Sequence, residues 1–531
     1  MTAAGPDVLI VGAGPTGLVT ALGLAQRGIR CEIVDADRGI ATGSRALGIS
    51  RRTLQILDTL GVSAACLEKG VPWVGSRSYY RDQEVFYLEL PEEPDEAFPA
   101  MLNLAQEDVV RILLEQIDKT VPDLVGIRWN TRLESLQVTA DQVQVQLDTL
   151  DGPTKMTAPW LVACDGARST VRERLGIRLE GESWNTRYVI VDVRLHSDHP
   201  AERRAWFDPP SNPGSTVLMH RQPDDVWRLD YQVDDEEVDA DNLVSHVVTR
   251  VREHLDHIGE TGPMEVVWTS TYRARALSAP TYRHGRALLS GDAAHLIPIF
   301  GIRGLNSAVE DANNLSWKIA AVIHDRASDA LLDTYSTERR AAAHTNLALT
   351  TRATLLMSPP TRGYELLRRA LLGLVAEGHD EFCPLLNPRQ TGTVGHPDSV
   401  LHTPSGSSEV GPGIGDVYPD ARVCTAEGER GYLSSHLGRR TTLVVFADVP
   451  MPMDVPFDVE VVTITQKTRS HLENRSGQVL VDAGNTYTRW KVQPGDVVLV
   501  RPDGHIAGAW RYPDATAVAA GIARLQRKEA P

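Results

Sequence analysis

The sequence predicts an α/β protein in three parts: a Rossmann-type dinucleotide-binding domain, a β-rich domain inserted into it, and a C-terminal α/β domain. Three observations carry this. The apolar run DVLIVG at residues 7–12 passes directly into GAGPTG and then a helical pattern. Two further short apolar runs, WLVAC at 160–164 and RALLSG at 286–291, likewise end in small-residue corners, DGARS and GDAAH. Such continuous runs suit parallel strands buried on both faces. Between the last two lie the alternating patterns YVIVDVRL, WRLDYQV and MEVVWTSTY, which suit antiparallel strands with two unlike faces.

Taken in order, residues 7–12 form a strand. Residues 15–28 form a helix with Leu18, Ala21, Leu22 and Ala25 on one face and Gly28 at its end, and CEIVD at 31–35 is the second strand. Helices follow over 51–60 and 106–119, then alternating strands over 126–150, including VQVQL at 143–147. The β-rich part holds one helix near 241–255, and two long helices lie at 304–324 and 330–358. A Pro/Gly/Ser-rich stretch at 387–416 reads as a linker. Beyond it TTLVVF, VEVVTI, QVLVD, DVVLVRPDG and HIAGAW alternate with turns before a closing helix from Ala515. The expected units are therefore 1–180 with 276–386, the insertion 181–275, the linker 387–416 and the domain 417–531.

A chain of 531 residues exceeds one ordinary core. Its 42% hydrophobic and 23% charged content is that of a soluble globular protein. A formal charge of −16 argues against nucleic acid and anionic membranes as partners. The five cysteines stand apart, with no C-x-x-C, which argues for reduced thiols and against a metal site. The N-terminal apolar run lacks a basic leader, and no stretch approaches the ~18 apolar residues of a membrane span, so a cytoplasmic protein is expected.

Gly12-Ala13-Gly14-Pro15-Thr16-Gly17 is G-x-G-x-x-G between a strand and a helix. Gly12 allows the tight turn, Gly14 lets backbone approach a pyrophosphate, and Gly17 lets helix pack on strand. The helix N-terminus adds unpaired N–H groups and partial positive charge. Asp35, ending the second strand, is placed to accept the hydroxyls of an adenosine ribose. Asp165 and Gly166 open the second corner, where simple helix capping by Asp165 is the competing reading. Ser44-Arg45-Ala46 reads equally as solvated loop, and Gln106 as helix-start chemistry. In GDAAHLIPIFGIRGLN, Asp292 follows a buried strand and can receive polyol hydroxyls, while Gly304 and Leu305 begin a helix whose dipole favours negative charge. The competing reading is a loop capped by Asn306 and packed by Phe300. His295 reads as structural rather than as a base, and DDEEVDAD at 234–241 as a solvated loop rather than a calcium site. No G-x-S-x-G, H-E-x-x-H or P-loop is present.

The series GAGPTG, DGARS and GDAAH…P…GLN, in that order, resembles the single-component (group A) FAD-dependent aromatic hydroxylases, the flavoprotein monooxygenases of the p-hydroxybenzoate hydroxylase fold. The likeness covers residues 5–360. Residues 417–531 resemble the thioredoxin-like C-terminal domain of the larger members; lacking C-x-x-C, it is expected to serve packing or dimerisation, so a homodimer is a candidate assembly. The resemblance implies an FAD-binding domain with an inserted substrate domain, and FAD as cofactor with NADPH or NADH as co-substrate. It implies transfer of one oxygen atom from dioxygen, through a flavin C4a-hydroperoxide, to a small aromatic substrate. Alternatives on the same fold are epoxidation, Baeyer–Villiger oxidation and antibiotic inactivation, and more remotely a non-catalytic flavin-fold binding protein.

By the same resemblance, Gly12, Ala13, Gly14, Pro15, Thr16, Gly17 and Asp35 hold the ADP half. Arg45, Ala46 and Gln106 lie along the pyrophosphate and ribityl region. Asp165 and Gly166 serve FAD and the nicotinamide cofactor, Asp292 the ribityl chain, and Gly304, Leu305 and Asn306 the pyrimidine edge. Pro298 and Arg303 are the expected catalytic positions, with Arg303 and the helix end favouring the anionic reduced flavin. Arg45, Arg51 and Arg52 are candidates for the nicotinamide cofactor's phosphates. Ile299 departs from the second proline of many relatives and Arg303 from their glutamine or lysine, which marks this loop for substrate choice. His220, Gln222, Arg228 and Asp230 are the substrate candidates from the hairpin 215–233. No arginine stands where p-hydroxybenzoate hydroxylase clamps a carboxylate, which favours a neutral or larger phenol, polycyclic ones included.

Overall fold

The computed structural model describes residues 5–43, 46–90, 92–233, 243–386, 392–403, 410–448, 455–456, 458–466 and 478–527. Arg45, the acidic string 234–241 and parts of the linker lie outside the described residues.

The three apolar runs do become neighbouring strands. A six-stranded sheet runs in the order Arg283–His284, Ala287–Leu289, Trp160–Ala163, Val8–Val11, Cys31–Val34, Val125–Arg128. All neighbours are parallel except the first pair. Every residue of Val8–Val11 and Trp160–Ala163 is buried, as unbroken apolar runs require when both faces are covered. The helix Pro15–Ala25 packs against the helix Gly304–Ile323, with Gly23 so close to Ser316 that an added Cβ would fall 2.9 Å from its Oγ. The strands Arg132–Val138, Val143–Thr149 and Gly152–Ala158 form a separate antiparallel sheet, and the middle one alternates buried and exposed residues as VQVQL predicts.

The second large sheet has eight strands, in the order His295–Leu296, Glu265–Ser278, Glu180–Arg194, Val226–Val233, Thr216–Arg221, Glu202–Phe207, Gly75–Tyr80, Gln83–Glu89. The last two strands come from far upstream, a contribution not read from the sequence. One face packs Val189, Val191, Trp227, Leu229 and Tyr231 against Val247, Val251 and Leu255 of the helix Leu243–His257. The opposite face turns toward Phe300 and the end of the helix Leu331–Met357, with Tyr188, Ile190, Ala205, Phe207 and Leu218 in one cluster with Phe300, Ala353 and Met357.

The C-terminal part is a seven-stranded sheet in which Val459–Thr465 and Thr441–Phe446 are parallel. Asp496–Val500 and Ile506–Arg511 continue that sheet as an antiparallel hairpin, and the closing helix is Ala515–Leu525. This makes a mixed-sheet α/β domain. It is fastened to the first domain by buried charge. The Glu338 carboxylate accepts Lys318 Nζ at 2.7 Å and both Arg501 guanidinium nitrogens at 2.8 and 2.8 Å. Asp503 accepts Asn314 Nδ2 at 2.8 Å, Trp317 Nε1 at 3.0 Å and Arg501 Nη2 at 2.6 Å.

Candidate active site

The first sheet aligns the carboxyl ends of four parallel strands, and the loops leaving them carry, in spatial order, Asp292, Asp165, the glycine turn and Asp35. At about 4.8 Å per strand this row spans roughly 15 Å, a length suited to an extended ligand.

The three glycines of the turn are not equivalent. Gly12 has φ +106°, and a Cβ there would lie 2.4 Å from the Cys164 carbonyl oxygen. A Cβ on Gly17 would lie 2.0 Å from the Gly12 carbonyl oxygen. Both glycines are therefore demanded by the protein's own packing. Gly14 has nothing within 4 Å of its Cβ position, so its backbone faces open space, where a pyrophosphate group can approach. Pro15 starts the helix, where its missing N–H costs nothing. Asp35 Oδ2 accepts the Ala13 N–H at 2.6 Å and Oδ1 the Asp37 N–H at 2.8 Å. The carboxylate is thus fixed beside the turn and keeps lone pairs for ribose hydroxyls.

At the second corner the helix cap is Ser169, whose Oγ accepts the Arg172 N–H at 3.0 Å. Asp165 Oδ2 also accepts the Val171 N–H of that first turn at 3.0 Å, as the capping reading expects. Burial raises its carboxyl above the ordinary range. Gly166 has φ +77° and, like Gly14, an open Cβ position. Ala46 and Gln106 are both half-buried, Gln106 as the first residue of the helix Gln106–Thr120.

At the third corner Asp292 is exposed in the single turn Gly291–Ala293. Beneath it His295 Nε2 meets Asp311 Oδ2 at 2.6 Å, the Gly291 N–H donates to the same oxygen at 3.1 Å, and Arg339 Nε donates to Oδ1 at 2.7 Å. His295 and Arg339 hold the Asp311 carboxyl below the ordinary range against its burial. His295 is accordingly structural: it braces the turn that presents Asp292.

The loop after it is taut. Pro298 is buried, Ile299 half-buried, and Phe300 meets the Tyr188 ring edge-on at 5.2 Å. Ile302 has φ +56°, a left-handed conformation that a β-branched residue adopts only under constraint. The Asn306 side chain supplies the constraint. Its Nδ2 donates to the Ile302 carbonyl at 2.6 Å and to Gly48 at 3.1 Å; its Oδ1 accepts the Ser50 N–H at 2.9 Å and Thr53 Oγ1 at 2.7 Å. The amide is spent inside the protein, so only the Asn306 backbone is offered outward. The N–H groups of Gly304, Leu305 and Asn306 open the helix without intrahelical acceptors, and Gly304 has an open Cβ position. That end favours negative charge.

Arg303 is buried, donating to Asn346 Oδ1 at 2.7 Å and to the Gly392 carbonyl at 3.0 Å, and burial lowers its pKa. It ties the loop to the next helix and to the chain beyond it. Arg51 meets Glu93 at 3.1 Å and donates to the Phe98 carbonyl at 2.8 Å. Arg52 is buried, with its guanidinium on Gln55 and the Asp503 carbonyl. The expectation that Arg52 takes a cofactor phosphate is corrected: it is spent on docking the C-terminal domain.

The hairpin candidates His220, Arg228 and Asp230 share the sheet face turned toward Phe300, as strand alternation predicts. Arg228 pairs with Asp192 through two bonds of 2.8 Å each and lies 5.6 Å from the Trp268 ring. Asp230 is buried, and its carboxyl is pushed up to about 7 by burial. His220 is buried against Trp73 at 5.6 Å, and burial with two neighbouring arginines pushes its pKa well below the ordinary value. Gln222 sits buried at the strand end. Sequence reasoning missed Asp192, Tyr188, Tyr272 and Arg203 on this face. Arg203 stands in AERRAWF, where two adjacent arginines hide the alternation.

Residues 6–350 match the family model described as an FAD binding domain. The 6-methylpretetramide 4-monooxygenase of Streptomyces rimosus is 30% identical over 98% of this chain and 94% of its own. The 3-(3-hydroxyphenyl)propionate/3-hydroxycinnamic acid hydroxylase of Mycolicibacterium smegmatis is 31% identical over 69% of this chain, an alignment that spans 64% of that relative. The crystal structure of the flavin-dependent monooxygenase PieE, in complex with FAD and substrate, has the same fold at TM-score 0.83 and 22% identity, over 99% of this chain and 100% of that one. The open cradle at Gly14 and the row of carboxylates at the strand ends fit the dinucleotide that these likenesses imply. The chain belongs to the FAD-binding domain family and, within it, to the FAD-dependent monooxygenases of aromatic compounds.

Proposed function

We propose that this chain uses FAD and NAD(P)H to place one atom of dioxygen on a phenolic ring held between the buried sheet face and the loop 298–303. The observation that carries it is the alignment of three strand-end corners along one sheet edge, with the face of the second sheet turned toward the loop that follows the third corner. Bound FAD, once reduced by the nicotinamide cofactor, supplies the electrons for oxygen activation; the protein supplies position and electrostatics.

In this reading Gly14 and the helix end behind it receive the pyrophosphate, and Asp35 the adenosine ribose. Ala46, Gln106, Asp165 and Gly166 lie along the middle of the cofactor, with Asp292 on the ribityl hydroxyls. The N–H groups at Gly304–Asn306 meet the pyrimidine edge, where they favour the negative charge of the reduced ring. Pro298, Ile299 and Phe300 wall the reacting side and exclude water. Arg303 acts as a positioning residue for that loop. The segments 1–180 with 276–386 form the cofactor unit and 181–275 the substrate unit. The relatives' names place a hydroxyphenylpropionate and a pretetramide within the family's reach, which supports a phenolic substrate here.

The test is direct. The purified chain is expected to be yellow with bound FAD, and an aromatic substrate is expected to accelerate its NAD(P)H oxidation. A colourless chain that takes up no FAD overturns the proposal.

A further inference from the structure

The sheet face turned toward Phe300 carries one row of polar side chains running across five strands. Asp192 stands opposite Arg228, Arg228 opposite His220, and Arg203 opposite Ser76, while the Arg204–Met219 pairing sets Arg203 beside His220. The adjacent row holds Ile190, Asp230, Leu218 and Ala205. All of these polar residues are buried.

Charge along the row does not balance. Asp192 and Arg228 neutralise each other through their two-pronged pair. His220 is uncharged in this setting. Arg203 is 4% exposed, and its side-chain partners are Ser76 Oγ at 3.3 Å and Met357 Sδ at 4.0 Å. No carboxylate among the described residues lies within ion-pair distance of it. Asp230, in the next row, acts on Arg203 only from beyond ion-pair distance, and burial raises its carboxyl. A buried guanidinium met by a hydroxyl and a thioether is costly unless an anion arrives to pair with it. The neighbouring atoms repeat the pattern: His220 Nδ1 and Trp73 Nε1, on rings 5.6 Å apart, are buried without hydrogen-bond partners.

We propose that Arg203, with His220 beside it, binds an anionic oxygen of the aromatic substrate, a carboxylate or an acidic ring oxygen, and so selects acidic phenols over neutral ones. This rests on the monooxygenase reading and adds the substrate class to it. The anion is held from the strand Glu202–Phe207 rather than from the hairpin, which supplies the clamp that the hairpin sequence lacks. Arg203 touches substrate in this proposal and sets specificity; it moves no proton or electron.

The test uses the FAD-loaded full chain and two matched acid–amide pairs: 3-(3-hydroxyphenyl)propionate with its amide, and a dihydroxyanthraquinone carboxylate with its amide. Binding is read from the perturbed flavin absorbance. The acid of at least one pair is expected to bind roughly tenfold or more tighter than its amide, the scale of a charge-assisted pair. Arg203→Met should remove that preference by weakening acid binding far more than amide binding, and Arg203→Lys should restore part of it. The melting temperature of Arg203→Met should equal or exceed that of the parent, because an unpaired buried charge has been removed. A merely structural arginine would lower it. Equal binding of acid and amide in both pairs, absence of binding by either acid, or a preference that survives Arg203→Met each overturns the proposal. FAD content and NADPH-driven flavin reduction are read in the same samples. Their loss in the parent overturns the monooxygenase reading, whereas their persistence with equal acid and amide binding overturns the anion site alone.

Discussion

The Arg501 guanidinium and the Glu338 carboxylate, 163 residues apart in the chain, meet in two parallel bonds of 2.8 Å inside the protein. Lys318 and Asn314 of the helix Gly304–Ile323 share the same carboxylate, so the C-terminal domain grips the helix that follows the third corner. Arg52 extends the grip to the helix Arg51–Thr59, whose cap Ser50 bonds Asn306. The C-terminal domain thereby braces the helix that opens at Gly304, and its sequence holds a single cysteine, Cys424.

Glu338→Ala would leave Arg501 and Lys318 buried without their shared anion, and is expected to cost about 3–5 kcal/mol of stability. Chemical denaturation of the holoenzyme checks this. FAD affinity should fall with it, because the helix start loses its brace. An unchanged midpoint would mean that the network contributes nothing net.

The glycines of the first turn should separate folding from cofactor binding. Gly17→Ala places a Cβ 2.0 Å from the Gly12 carbonyl and should give little folded protein. Gly14→Ala meets nothing in the protein and should fold normally, yet lose FAD because the added methyl occupies the pyrophosphate approach. Circular dichroism and flavin content distinguish the two outcomes. A Gly14→Ala protein that retains FAD at the parent's affinity contradicts the placement.

Asp292→Ala should weaken FAD through lost ribityl hydrogen bonds, each worth ~1 kcal/mol, without changing the fold. Fluorescence titration of the apoprotein with FAD measures it, and unchanged affinity would remove Asp292 from the site.

Asp230 gives a pH signature. Its carboxyl is raised from 3.8 to about 7, so between those values the folded chain binds a proton that the unfolded chain does not. Its contribution therefore weakens stability as pH rises through that window, by up to about 4 kcal/mol at pH 8. Asp230→Asn should remove this slope, matching the parent near pH 4 and exceeding it at pH 8 in ligand-free melting experiments. Parallel pH profiles for the two proteins would contradict it.

Much of this was legible because the cofactor corners are local: each is a strand end, a small-residue turn and a helix start, written within about 15 consecutive residues. The apolar runs at Val8–Val11 and Trp160–Ala163 announced buried parallel strands, and WRLDYQV announced which residues share a face. What could not be read depends on partners distant in sequence. Asn306 is expected at the ligand through the helix start, but that its amide bonds Ser50 and Thr53, 256 and 253 residues away, is not written locally. Arg52 read as a phosphate ligand, yet the Asp503 carbonyl that takes it lies 451 residues on. Arg203 was overlooked because a buried cation carries no periodic mark; only the register across five strands exposes it.

The central claim is oxygen transfer to an aromatic ring by a flavin held at the strand ends. The most direct measurement is turnover of a phenolic substrate panel by the purified holoenzyme with NADPH under oxygen-18 gas, with products read by mass spectrometry. A hydroxylated product carrying one heavy oxygen, formed with one equivalent of NADPH consumed, is the predicted result. NADPH consumption that yields only hydrogen peroxide, or a product whose new oxygen comes from water, would contradict it.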